Sequence, residues 1–312
     1  MKLSLVVPCY NEAENVAVFQ DAVISAFQNC GYDYEIVFVN DGSKDATLHN
    51  LKKLYNIQKC PVKVVALSRN FGKESAIYAG MEQAEGEYIS LIDADLQQRP
   101  EIVAEMVRIL DEKPECDVVA AYQDRRGESK VLSFFKKCFY NIINRLSDVN
   151  LHADASDFRT FRRSVRDSLL EMAEYHRFSK GLFAWVGYET TFIPYTACER
   201  HAGKTKWSFR KLFNYAIEGI IGFSTKPLRY SIYIGSITAV AAVLYLLWII
   251  IEKLVWGIAI PGYATMIVLI LLLGSIQLFC IGIIGEYVGR TFEQSKDRPI
   301  YIAKEILKPD EK

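Results

Sequence analysis

Residues 88–97 read Tyr-Ile-Ser-Leu-Ile-Asp-Ala-Asp-Leu-Gln, an apolar run that ends on two carboxylates. A short apolar run with this ending predicts a strand buried on both faces. Two aspartates at one strand end repel each other unless something positive lies between them. A hard divalent cation that also grips a diphosphate meets that need, because Mg²⁺ takes one or two protein carboxylates plus phosphate oxygens. Alone the Asp93-Ala94-Asp95 triplet is a weak signal, since loop-capping aspartates produce it often. Its setting strengthens it.

Working outward, β-branched runs at Leu3–Val7, Glu35–Val39, Val62–Leu67, Tyr88–Ile92 and Asp117–Ala121 alternate with helical patterns at Asn15–Gln28, Ala46–Asn56, Lys73–Ala84 and Pro100–Leu110. Strict alternation with short connections predicts an α/β domain, a mainly parallel sheet covered by helices on both faces. Ligands of such sheets bind beyond the carboxyl ends of the strands, near the point where strand order reverses. The residues there are polar: Pro8-Cys9-Tyr10-Asn11-Glu12, Asn40-Asp41-Gly42-Ser43 and Ser68-Arg69-Asn70-Phe71-Gly72-Lys73. Asp41 reads as a ligand-facing acceptor for a nucleobase or ribose, with Asp45 capping the next helix. Asn11 and Glu12 read equally as ligand contacts or caps. Neither GxGxxG nor GxxxxGK[ST] occurs, which disfavours a dinucleotide fold or a P-loop enzyme.

The chain has 312 residues with 37 basic and 37 acidic side chains. That zero is a sum of opposites: residues 1–124 hold 11 basic and 20 acidic groups, residues 125–229 hold 19 and 10, and the remainder 7 of each. No nucleic-acid partner is expected. Two charge-free runs follow, Tyr230–Ile251 and Leu254–Gly285, the second broken by Pro261-Gly262. A span needs about 20 apolar residues, so two transmembrane helices are expected at about 230–251 and 264–285. Lys204, Lys206, Arg210, Lys211, Lys226 and Arg229 precede the first, and Arg290, Lys296 and Arg298 follow the second. By the positive-inside rule both termini then face the cytoplasm. Amphipathic patterns at 131–146 and 209–221 suit helices lying on an anionic bilayer surface, with core-facing helices as the other reading. Seven scattered cysteines without a CxxC predict free thiols in a reducing compartment. No signal peptide is read at the start. Gln277 in the second span hints at a homo-oligomer.

Six pieces taken in order carry a resemblance: Val6-Val7-Pro8-Cys9-Tyr10-Asn11-Glu12, Val39-Asn40-Asp41-Gly42-Ser43, Leu67-Ser68-Arg69-Asn70-Phe71-Gly72-Lys73, Asp93-Ala94-Asp95-Leu96-Gln97, Ser156-Asp157-Phe158-Arg159 and Arg200-His201-Ala202-Gly203-Lys204-Thr205-Lys206. Together with Pro227-Leu228-Arg229 and the two spans, they resemble the inverting, GT-A-fold glycosyltransferases of family 2. The likeness is to the branch that charges polyprenyl phosphate, similar to the bactoprenol glucosyltransferases and dolichyl-phosphate mannose synthases, and it covers nearly the whole chain. It implies transfer of a hexose from a UDP-sugar, UDP-glucose first and UDP-N-acetylglucosamine next, to polyprenyl (undecaprenyl) phosphate at the inner, cytoplasmic membrane. A flippase is a further expected partner.

The resemblance also implies roles. Pro8, Tyr10, Glu12 and Asp41 would line the nucleotide pocket, with Asp41 at the uracil. Asp93 would lie near the ribose and diphosphate, and Asp95 and Gln97, with Asp93, would hold Mg²⁺ or Mn²⁺. Arg200 and Lys206 would reach phosphates of donor or acceptor, and Arg125 or Arg126 would lie on the acceptor side. Asp157 stands as the family's candidate base, or else as the residue that orients Arg159 or another arginine on the acceptor phosphate. Arg162, Arg163 and Arg166 read as a solvated basic face. Asn40 stands where the family often has a second Asp, which weakens any ligand role there.

These readings divide the chain into a nucleotide-sugar-binding GT-A core (1–124), an acceptor and membrane-interface segment (125–229), two transmembrane helices (230–288) and a cytosolic tail (289–312). The rivals are a nucleotidyltransferase using the same Asp95 metal and a non-catalytic membrane-anchored sensor or scaffold.

Overall fold

A computed structural model describes residues 1–123, 144–147, 149, 155–196, 198, 219–256 and 262–309. The expected alternation is present: β1 Leu3–Cys9, α1 Val16–Phe27, β2 Tyr34–Asn40, α2 Thr47–Ile57, β3 Val62–Leu67, α3 Lys73–Gln83, β4 Tyr88–Leu91, α4 Pro100–Glu112 and β5 Val118–Gln123. Beyond them come β6 Ala155–Arg162, α5 Arg163–Glu171, α6 Ser179–Trp185, β7 Thr190–Tyr195, α7 Lys226–Trp256, α8 Tyr263–Ser295 and β8 Ala303–Leu307. The local reasons are those that the sequence offers. Pro100 opens α4 at a position where its missing N–H leaves no bond unmade, with Glu101 in the positively polarised first turn.

The described strands form one sheet in the order β7-β5-β6-β4-β1-β2-β3-β8. β1 pairs in parallel with β2 on one side and β4 on the other. Strand order therefore reverses at β1, and the crevice beyond the carboxyl ends of β1 and β4 is the switch point. One face buries Phe19 and Val23 of α1, Leu51 of α2, and Val103 and Met106 of α4; the other buries Ala76, Ile77 and Met81 of α3, Leu169 of α5 and Leu182 of α6. α3 packs tightly on the sheet. A Cβ added at Gly80 would come within 2.3 Å of Val6 Cγ1, so only glycine permits this approach. The start of α3 is thereby fixed over the switch point.

The sheet does not stop at residue 124, where the change of charge placed the end of the core. β6 inserts between β4 and β5, antiparallel to both, and β7 pairs in parallel with β5. The basic face expected at Arg162, Arg163 and Arg166 is instead a set of clamps. Arg162 donates to the Leu110 and Cys116 carbonyls, Arg163 to Gly86, and Arg166 to Ala84. The tail also differs from expectation, because β8 pairs antiparallel with β3 and closes that edge of the sheet.

At the amino ends of the strands, away from the switch point, Lys63 is buried between Glu35 (2.9 Å) and Glu85 (2.6 Å). Glu35 also accepts from Ser4 Oγ and the Glu85 amide. Replacing one member of a buried pair leaves the other charge uncompensated. Glu35→Ala is therefore expected to lower stability by about 3 kcal/mol, read as a lower melting temperature of the full chain in detergent. Turnover per folded molecule should stay at the wild-type level; an unchanged melting temperature would count against the network's role.

α7 and α8 contain the two expected spans and run past both. Their apolar side chains face outward, with Leu254 80% and Leu278 72% exposed, a pattern that suits lipid rather than water. Both helices are long and apolar enough to cross a membrane. The amphipathic patterns fall mostly, and Arg125, Arg126, Arg200 and Lys206 wholly, outside the described residues. Among the described residues the cysteines are free thiols, as expected.

Candidate active site

The loop that delivers the first residues of α3 is built by Asp41. Its carboxylate accepts from the Phe71 amide (2.7 Å), the Gly72 amide (3.0 Å) and Asn70 Nδ2 (2.9 Å). Burial raises its pKa, and these amides, with Arg69, work against that shift. Gly42, at φ +59°, lets the two loops touch, since a Cβ there would meet Arg69 C at 2.3 Å. Asp41 is thus a loop organiser, only 3% exposed, a role the sequence reading did not assign it. Asn11 and Glu12 also tie loops together: Asn11 Oδ1 accepts from the Lys44 amide, and the Glu12 amide donates to Thr47 Oγ1. Glu12 further accepts from Asn15 Nδ2 at the start of α1. Tyr10 is half-buried in the same loop.

The crevice at the switch point is lined by Pro8, Lys73, Asp93, Gln98, Asp157 and Phe158, among others. Lys73 Nζ lies 2.7 and 3.0 Å from the two oxygens of Asp93 and 3.4 Å from Asp157. One ammonium thus joins a carboxylate from the end of β4 to one from β6. Burial would lower the Lys73 pKa, but Asp93 and Asp157 more than reverse this and hold it above its ordinary value. Burial would likewise raise Asp157, yet Lys73, Lys180 and Arg159 outweigh it and hold the carboxyl at about 2. Among the described residues, Asp157 Oδ1 is nevertheless a buried acceptor with no hydrogen-bond partner. Gln98 links the two sides, accepting from the Asp93 amide (3.0 Å) and donating to Ser156 Oγ (3.5 Å).

Behind Lys73, Glu74 accepts from the Ser179 amide (3.1 Å) and the Ser179 hydroxyl. Burial and the nearby Asp157 charge push Glu74 up to about 7. Arg159 donates to the Ser156 carbonyl, and its guanidinium lies 4.1 Å from the centre of the Phe183 ring. Asp93, Asp157 and Arg159 therefore lie together around Lys73 and Ser156. Lys73, Glu74, Gln98 and Lys180 join them unannounced. The sequence signal for Lys73 is its place at the end of Leu67-Ser68-Arg69-Asn70-Phe71-Gly72-Lys73, directly after the glycine that opens α3.

Asp95 is 8% exposed, and its Oδ1 accepts from the Gln97 amide at 3.2 Å, with Leu96 between them at φ +61°. This tight turn holds a carboxylate and an amide oxygen two residues apart. Among the described residues no group of three or more His, Cys, Asp or Glu could enclose a metal. The donor set fits a Mg²⁺ or Mn²⁺ ion completed by diphosphate oxygens and water rather than by protein alone. Both oxygens of Asp93 are engaged by Lys73 Nζ. The Cys198 amide donates to the Gln97 carbonyl (3.1 Å), tying a segment close in sequence to Arg200 to the same turn.

Residues 4–170 match Glycosyl transferase family 2, and residues 226–291 match the GtrB C-terminal hairpin. The chain belongs to glycosyl transferase family 2. It is 40% identical over 306 residues to the uncharacterized glycosyltransferase sll0501 of Synechocystis sp., covering 98% of this chain and 96% of that one. It is 39% identical over 308 residues to the prophage bactoprenol glucosyl transferase homolog of Escherichia coli (strain K12), covering 99% and 100%. The bactoprenol glucosyl transferase of Shigella phage SfV is 40% identical over 304 residues, covering 97% and 98%. The mainly parallel sheet is the GT-A fold of this glycosyltransferase family. The matched hairpin coincides with α7 and most of α8, so the two apolar helices belong to the family's architecture.

Proposed function

We propose that this glycosyltransferase moves glucose from UDP-glucose to a polyprenyl phosphate with inversion, on the cytoplasmic side of a membrane that α7 and α8 cross as a hairpin. The carrying observation is the Lys73 bridge. A donor-side carboxylate, Asp93, and an acceptor-side carboxylate, Asp157, share one cation at the switch point of a sheet attached to two lipid-facing helices. Relatives named for bactoprenol glucosylation at about 40% identity support the same substrate class.

The chemistry follows from charge. Pro8 and the loops around Asp41 receive the nucleotide, and Asp95 with Gln97 would hold the metal. When bound, that ion neutralises charge developing on the departing diphosphate. The acceptor is a phosphate monoester whose second pKa is near ~6, so its oxygen is an ionised nucleophile at neutral pH. A carboxylate held at about 2 is a poor proton acceptor in that range. Asp157 therefore acts by orienting Lys73 and Arg159 rather than as a base. Single displacement turns an α-linked donor into a β-linked lipid phosphosugar.

The reading is tested by incubating the full chain with undecaprenyl phosphate and a panel of UDP- and GDP-sugars and weighing the lipid product. Glucose transfer from UDP-glucose is the expected result; equal turnover with a GDP-sugar would contradict the uridine pocket. A second measurement addresses Asp157. Because its folded pKa is depressed, its charge persists from alkaline pH down toward about 2, and it cannot produce an acid limb between pH 5 and 8. Asp157→Asn should lower the plateau of the pH–rate profile without moving that limb. If the limb vanished in the variant, Asp157 would be the base after all.

A further inference from the structure

Three elements converge beside Asp157: the start of α3 with Lys73 and Glu74, β6 with Asp157 and Arg159, and α6 with Ser179, Lys180 and Phe183. Both Ser179 bonds to Glu74 fix the start of α6 to α3. The Arg159–Phe183 stacking fixes α6 to β6. Lys180 is held between these anchors, half-buried. The titratable groups facing it are Asp157, Arg159, Lys73 and Glu74.

Three of the charged groups here, Lys73, Arg159 and Lys180, are cations, set against the carboxylates Asp93 and Asp157. Glu74 is only partly ionised near neutral pH. Among the described residues no oxygen lies within ion-pair or hydrogen-bond distance of the Lys180 ammonium. Burial pulls its pKa below the ordinary lysine value; Asp157 pulls the other way, while Arg159 and Lys73 add to the fall. A half-buried ammonium held against two like charges with no direct partner is unfavourable unless an anion arrives.

We propose that the phosphate group of the acceptor binds where α3, β6 and α6 converge, with Lys180 as a direct ligand and Glu74 as the residue that positions it. This rests on the reading that the acceptor is a lipid phosphate. Lys73 and Arg159 flank the same phosphate. Asp93 and Asp157 hold Lys73, and the Ser156 carbonyl and Phe183 ring hold Arg159, before the acceptor arrives, so little reorganisation remains at binding.

The test uses the full chain in neutral detergent. Lys180→Met should raise KM for undecaprenyl phosphate by about tenfold or more, the size of a lost charge-assisted bond, with UDP affinity by calorimetry unchanged. Lys180→Arg should regain most of it. Farnesyl phosphate should compete better than farnesol in the wild type, and Lys180→Met should erase that preference, which separates the phosphate from the lipid tail. Inorganic phosphate should compete weakly with the wild type and not with the variant. Glu74→Gln keeps an acceptor for Ser179 and should retain the wild-type KM, whereas Glu74→Ala should raise it. An unchanged KM in Lys180→Met, or an equal fall in UDP affinity, would overturn the proposal; equal KM values for the two Glu74 variants would overturn the positioning role. Wild-type protein that binds farnesyl phosphate through Lys180 yet forms no glucosylated lipid would refute the proposed reaction and leave this site standing.

Discussion

Asp95→Asn should reduce formation of the lipid-linked sugar by about a thousandfold while leaving the fold intact. The asparagine keeps an Oδ1 acceptor for the Gln97 amide, so the turn that Asp95 makes at 3.2 Å survives the exchange. What disappears is the negative charge. Asp93 cannot replace it, because both of its oxygens are engaged by Lys73. A divalent ion would then find only neutral amide oxygens at this turn, so it would be held weakly and its neutralising effect on the departing UDP would be largely lost. The measurement is product yield by mass spectrometry with Mg²⁺ and with Mn²⁺, alongside the melting temperature. Full activity of the variant with either ion would sink the metal assignment and with it the role given to Asp95. The nucleotide released separates the rival enzyme, since a nucleotidyltransferase liberates diphosphate and the proposed reaction liberates UDP. A sensor or scaffold would make no product before or after the substitution.

The parts of the fold legible in the sequence are those whose signal is local. The strands from Leu3 to Gln123 and the helices between them fall within two residues of expectation, because β-branched runs, polar turns and Pro100 act where they stand. β6 was missed for a physical reason. Asp157, Arg159 and Arg162 interrupt its apolar residues, and the partners of Asp157 and Arg162, such as Lys73 and the Cys116 carbonyl, lie far along the chain. β8 is held by long-range pairing to β3 and by the Lys52–Glu305 ion pair; neither leaves a trace in Ala303–Leu307 itself. The site divides in the same way. Asp93 and Asp95 stand out as carboxylates at the end of an apolar run, whereas Asp157 is marked only by the resemblance carried by Ser156-Asp157-Phe158-Arg159. Lys73 and Glu74 look locally like ordinary first-turn residues of a helix, and Gln98 like part of a loop. Only the tight packing at Gly80 and the Asp41-built loop bring the start of α3 to the switch point.

Lys73→Met should lower turnover by two to three orders of magnitude at neutral pH, roughly the loss from removing one preorganised charge in an active site. The methionine keeps most of the side-chain volume and the start of α3, so the change is electrostatic. Without the ammonium, Asp93 and Asp157 face each other with no shared cation, and the Asp157 pKa should rise from about 2 because burial then meets less opposition. Stability should fall only modestly, since the Lys73 side chain is 42% exposed and solvent screens the pair. The pH dependence of that fall has a definite sign. A carboxylate with a depressed folded pKa contributes stability that is present above its unfolded value, near ~3.9, and lost as pH drops toward the folded one. The melting-temperature gap between wild type and variant should therefore be full at pH 7 and close below about pH 4. Lys73→Arg restores the charge but brings a planar fork in place of a compact ammonium, so it should recover turnover only in part. Wild-type turnover in Lys73→Met, or a melting-temperature gap that widens as the pH falls, would remove the bridge from the mechanism and leave Asp93 and Asp157 to be explained separately.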